Sequence, residues 1–63
     1  MWILKDQIIV NMDNVVSVLK NSNGNLEFHT SGDYCVTMKD VPEDIIHKIW
    51  MANKRKEEIF VIN

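Results

Sequence analysis

The sequence predicts an α+β fold: a small antiparallel sheet of four or five strands, running as a meander, covered by one C-terminal helix, with segment 59–62 able to add a short terminal strand. Two observations predict it. Residues 1–39 are short runs of β-branched and aromatic residues separated by Asn, Asp and Gly, which is the pattern of hairpin-linked strands. Residues 40–55 then change to an apolar stripe at helical period. A chain of 63 residues makes one domain at most, 1–63, and a domain of this size buries only ~60% of the surface its unfolded form exposes.

Taken in order, Trp2–Leu4 is the first expected strand, Lys5, Asp6 and Gln7 turn the chain, and Ile8–Val10 returns as the second. Asn11, Asp13 and Asn14 make a bend, because Asx side chains bond their own backbone and tolerate left-handed conformations. Residues 15–20 form the third strand, with Val16 and Val18 on one face and Val15, Ser17 and Leu19 on the other. Asn23-Gly24, in the turn 21–25, is the dipeptide favoured by type I′ hairpins. Residues 26–30 alternate, with Leu26 and Phe28 inward and Glu27 and His29 outward. Ser31-Gly32-Asp33 leads into strand 34–38, which places Tyr34, Val36 and Met38 on one face and Cys35 and Thr37 on the other.

The helix is expected over about 41–55. Asp40 serves as N-cap, Glu43 completes an Asp variant of the capping box, and Pro42 falls in the first turn, where its missing N–H costs nothing. Glu43 and Asp44 at the start and Lys54, Arg55 and Lys56 at the end complement the macrodipole. Ile45, Ile46, Ile49 and Trp50 form the apolar stripe, and Asp44 and Lys48 stand as an i, i+4 pair. Ile59–Ile62 is a solid apolar run. It packs on its own core as a strand or extended segment, or it pairs with another subunit, since left unpaired it is an adhesive edge. The expected core is Ile3, Ile8, Val10, Val16, Val18, Leu26, Phe28, Val36, Ile45, Ile49 and Trp50.

Composition narrows the function. The net charge is −2 and no long block of like charge appears, which argues against general nucleic-acid binding. No apolar run approaches the ~20 residues of a membrane span, and the opening MWILKDQ lacks the features of a signal peptide. Cys35 is the single cysteine, so no disulfide or metal framework is expected, and the chain reads as cytoplasmic. A domain this small without staples often gains stability by associating, so a homo-oligomer is expected. Richness in Asn, Lys and Ile points to an AT-rich bacterial or phage genome.

The features Met1-Trp2-Ile3, the polar turn Lys5–Gln7, Ile9-Val10-Asn11 and the step Asp13-Asn14-Val15 resemble a group of small uncharacterised proteins of Gram-positive bacteria and their phages. The resemblance covers about the first third of the chain. Gly32-Asp33-Tyr34 echoes a Gly-x-Tyr step of that group, whereas Pro42 and Trp50 depart from its Glu-rich, Ala-containing helix. More loosely, the order of elements is similar to the small flagellar-operon proteins of the FlbD and SwrD type. Neither resemblance brings catalytic residues. Both imply a small non-enzymatic module in a bacterial or phage setting.

No catalytic, cofactor or metal constellation is evident. His29 and His47 read as solvated surface side chains, because no Cys, Asp or Glu stands at a spacing such as H-x₃-H or C-x₂-C. Cys35 reads as a small apolar packer. Trp50 reads as core. Trp2 is harder to bury and is assigned to a subunit interface or to the flat face of a ligand. The basic cluster Lys54, Arg55 and Lys56, with Lys48 two turns back, compensates the helix dipole or else holds a phosphate-bearing ligand. The candidate ligand-binding residues are therefore Trp2, Tyr34, Lys48 and Arg55, and the candidate oligomer interface is Trp2, Ile59, Phe60, Val61 and Ile62. The expected function is an oligomeric, non-enzymatic binding module that binds and inhibits or sequesters a host factor. The alternatives are a phage anti-defence sponge holding a small anionic or nucleotide signal at subunit interfaces and, lower, a flagellar-type regulator.

Overall fold

A computed structural model describes all residues, Met1–Asn63, and its fold is α+β. Strand β1 (Trp2–Lys5) pairs antiparallel with β2 (Ile8–Asn11) through the two-residue loop Asp6-Gln7, Lys5 facing Ile8. Asp6 adopts φ 54°, the positive φ that tight hairpin loops need for their twist to match that of the strands. A 3₁₀ turn, Met12–Asn14, follows, and the Asn11 side chain accepts from the Asp13 N–H at 3.0 Å. Next come β3 (Val15–Lys20), β4 (Leu26–Thr30) and β5 (Cys35–Met38), then helix α1 (Ile45–Lys54) and β6 (Ile59–Val61).

Six strands form two three-stranded sheets, in the orders β2-β1-β6 and β3-β4-β5, where a single meander of four or five strands was expected. The split falls between β2 and β3, which the Met12–Asn14 turn separates and which do not pair, and the terminal segment then completes the first sheet. β6 lies parallel to β1, Trp2 facing Ile59 and Leu4 facing Val61, so β1 becomes the centre of its own sheet. Backbone bonds from Trp2 N–H to the Glu58 carbonyl and from Ile62 N–H to the Leu4 carbonyl, both 2.8 Å, extend the pairing. The terminal strand is thus paired on one side within its own chain and forms an edge of the sheet.

Both sheets and the helix supply one core: Ile3 and Val10, then Leu26, Phe28 and Met38, then Ile45 and Ile49, closed by Ile62. Ile8, Val18 and Val36 pack half-buried against it. Two expected core residues lie outside. Val16 is 69% exposed because the register of β3 slips between Val15 and Ser17; such an irregularity turns the extra residue out of the alternation, and Val15 and Val18 face the core instead. Trp50 is 55% exposed, because α1 buries Ile45, Ile49 and Ala52, a stripe that leaves positions 46 and 50 on its shoulder.

The helix begins later than expected. Asp40 has φ 57°, incompatible with the extended backbone of an N-cap, and Val41, as the residue before Pro42, is driven out of the helical region. Asp44 takes the N-cap position without a side-chain bond, so the capping box does not form. The preceding turn is fixed by Ile45 N–H to the Pro42 carbonyl, 3.2 Å, and by Lys20 Nζ to the Glu43 carbonyl, 3.2 Å. Tyr34 falls in the β4–β5 turn rather than in β5. The 21–25 turn is also not type I′. Gly24 alone there has positive φ, +79°, and its N–H donates to the Asn21 carbonyl at 3.0 Å, as in three-residue connections built on a type I turn and a left-handed glycine.

The helix ends in a Schellman motif. Lys56 N–H donates to Asn53 and Glu57 N–H to Ala52, at 3.0 and 3.1 Å, around Lys56 at φ 57°. A left-handed non-glycine residue carries a cost of ~1–2 kcal/mol, part of which glycine's extra freedom in the unfolded chain would offset. Lys56→Gly is therefore expected to stabilise the fold by about 0.5–1 kcal/mol, raising Tm by a few degrees. Thermal denaturation checks this, and an unchanged or lower Tm contradicts it.

Candidate functional site

Three surface features stand out. The first is the outward face of the β2-β1-β6 sheet. Paired residues on neighbouring strands point to the same side, so the registers define two rows across this face, Asn11–Trp2–Ile59 and Ile9–Leu4–Val61. Trp2 is 43%, Ile9 60%, Ile59 59% and Val61 54% exposed, and no position in either row carries a charge. The opposite face of the same strands holds Ile3, Val10, Phe60 and Ile62 against the core. Of the expected interface residues, Trp2, Ile59 and Val61 therefore point outward, while Phe60 and Ile62 belong to their own chain's interior. Strict alternation along β6 separates the two sets.

The second feature is a groove of about 330 Å³ between the shoulder of α1 and the start of β3, lined chiefly by Met1, Met12, Val18, Ile46 and Trp50. Trp50 is held there by its own helix. Lys54 Nζ lies 4.9 Å from the ring centroid and the His47 ring lies beside it, tilted by 37° at 6.2 Å, the i+4 and i−3 neighbours that share a helix face.

The third is polar. Glu27 and His29 project from the outward face of β4, and Cys35 is the cross-strand partner of His29 on β5. Glu27 Oε1 lies 2.9 Å from His29 Nε2, and Cys35 Sγ lies 3.7 Å from the same nitrogen. Asn21 Nδ2 donates to Glu27 Oε2 at 2.8 Å, while Asn21 Oδ1 accepts from the N–H groups of Asn23 and Asn25. The bond from Asn21, and after it that from His29, holds the Glu27 carboxyl below the usual carboxylate range. These three donors are the residues able to hold a metal ion. Sequence spacing missed them, because Cys35 meets His29 through strand register and not through proximity along the chain. Cys35 is also exposed, which corrects its reading as a small apolar packer.

The expected ligand-binding residues are dispersed. Trp2 lies on the sheet face, Tyr34 in the β4–β5 turn, and Lys48 and Arg55 along and just past the helix. Each cation has a local partner: Lys48 approaches Asp44 at 3.8 Å and Arg55 Nε donates to Glu57 at 3.0 Å. Both pairs are solvated and so contribute about 0–1 kcal/mol. Lys48 borders a small depression of about 170 Å³ with Pro42, Ile45 and the β6 segment, which includes neither aromatic residue of the set.

Compared with protein families, with characterised proteins and with solved structures, the chain matches none. The resemblance of its N-terminal third therefore rests on the residues quoted above. No helix is long and apolar enough to cross a membrane.

Proposed function

We propose that the chain is a non-enzymatic binding module that works as a homodimer joined through the outward face of the β2-β1-β6 sheet, and that it offers the groove beside Trp50 to a protein partner. The observation that carries this reading is the uncharged apolar face of Trp2, Leu4, Ile9, Ile59 and Val61. At roughly 150–250 Å² for a large side chain, its four exposed members present on the order of 400 Å². That is within the range of the largest patch on a typical monomer, which is often functional, and about half of what each partner buries in a standard interface.

A second copy of the chain suits this face. A twofold axis makes the face its own partner, residue i meeting residue j and j meeting i, so a charge there would be buried twice, and on the axis it would meet its own copy. This face has none. A 63-residue domain also has the most to gain from burying a second apolar layer. The bacterial or phage setting, the cytoplasmic location and the inhibition or sequestration of a host factor belong to the same proposal and rest on the sequence features given above. Sequestration of an anionic or nucleotide signal at subunit interfaces has less support, because no cavity of the single chain is lined by more than one of Trp2, Tyr34, Lys48 and Arg55.

The test is Ile9→Lys. Ile9 lies outside the core, so the fold is expected to survive, whereas the substitution places two ammonium groups in the dimer interface. Wild type is expected to sediment as a dimer, Ile9→Lys as a monomer of unchanged circular dichroism, and Trp50→Ala as a dimer. Equal masses for wild type and Ile9→Lys would refute the assigned interface.

A further inference from the structure

We propose that Glu27, His29 and Cys35 bind a zinc ion on the outward face of the β3-β4-β5 sheet, with one coordination position left open to solvent. The donors are a carboxylate oxygen, an imidazole nitrogen and a sulfur, and all three lie within 4.8 Å of one another. Tetrahedral zinc with ordinary bond lengths sets N and O donors about 3.3 Å apart, and S and N donors about 3.6 Å apart. The observed 3.7 Å from Cys35 Sγ to His29 Nε2 already fits. The 2.9 Å from Glu27 Oε1 to His29 Nε2 is a hydrogen bond, which the ion would replace after an opening of about 0.4 Å, while Glu27 and Cys35, within 4.8 Å of each other, would close toward the ~3.6 Å that O and S donors take on zinc, by side-chain rotation.

The direction of the imidazole decides between two chemistries. In a nucleophile–base–acid relay the thiol and the carboxylate sit on different ring nitrogens. Here both face Nε2, so His29 cannot pass a proton from one to the other. Convergence of three donors on one point is what a shared cation requires.

The scaffold is suited to hold them. Glu27 and His29 are alternate residues of one strand, and Cys35 is fixed opposite His29 by the β4–β5 ladder. Glu27 is aimed by Asn21, itself locked by two backbone N–H donors, an outer support of the kind that orients carboxylate ligands at metal centres. A thiolate together with an imidazole selects zinc over calcium or magnesium. On binding, the Sγ–H bond breaks, its proton passes to solvent, and the Zn–S bond forms. Three protein ligands and an open fourth position are the arrangement in which zinc takes water or an exogenous donor.

The test uses the full chain, stripped with chelator and titrated with Zn²⁺ and Co²⁺. One zinc per chain is expected, and the cobalt form is expected to show thiolate-to-metal charge-transfer absorption. Cys35→Ser removes that absorption. Cys35→Ser, His29→Ala and Glu27→Gln each weaken zinc binding at least about tenfold, whereas His47→Ala does not. In wild type, one equivalent of zinc protects Cys35 from alkylation, a readout independent of how any variant folds. Failure of zinc to protect the thiol, affinity that survives both His29→Ala and Cys35→Ser, or affinity lost with His47→Ala would each overturn the proposal.

Discussion

Ending the chain after Glu58 is expected to unfold it. The deletion removes β6 and with it the parallel partner of β1. It also removes Ile62, 5% exposed and part of the core, and Phe60 packed against that core. Truncation of one buried isoleucine already costs about 2–5 kcal/mol, and an open β1 edge invites aggregation. Total stability for a domain of this length is on the order of 3–9 kcal/mol, so the sum of these losses exceeds or matches it. Far-UV circular dichroism through a urea titration checks the result, and a cooperative transition near that of the full chain would contradict it.

Phe28→Ala is the second large effect. Phe28 is fully buried at the centre of β4, paired with Val18 on one side and Val36 on the other. It packs in the cluster shared by both sheets and the helix. Removing a buried phenylalanine ring costs about 3–5 kcal/mol, a third or more of the total stability of a domain of this length, so the urea midpoint is expected to fall sharply. The same measurement reads it, and a loss below ~1 kcal/mol would mean that Phe28 does not anchor the core.

These two positions differ in how far the sequence reveals them. Leu26 and Phe28 were legible because β4 alternates cleanly beside a turn with an obvious glycine, and the spans of β3 and β4 were legible for the same reason. The role of Ile62 was not. Pairing of β6 with β1 joins opposite ends of the sequence, and an apolar run such as IFVI carries no record of its partner. Val16 was misplaced by a bulge, which alternation along one strand cannot register. The late helix start follows from Val41 and Pro42, yet the D-x-x-E pattern of Asp40 and Glu43 that encloses them masks it. The buried stripe of the helix runs through Ile45, Ile49 and Ala52, and Trp50, one position round from Ile49, turns to the groove. The Glu27, His29 and Cys35 group depended on a register, His29 opposite Cys35, that residue types alone do not set. The sheet face was half visible: Trp2 and the tail were singled out, but alternation had still to divide Ile59 and Val61 from Phe60 and Ile62.

That face is the centre of the functional proposal, and the mass of the wild-type protein in solution tests it most directly. Sedimentation equilibrium across the micromolar range is predicted to give twice the 7.4 kDa chain mass, falling toward the single-chain value on dilution. A mass of one chain at every concentration would contradict the account and leave the apolar sheet face to a different occupant.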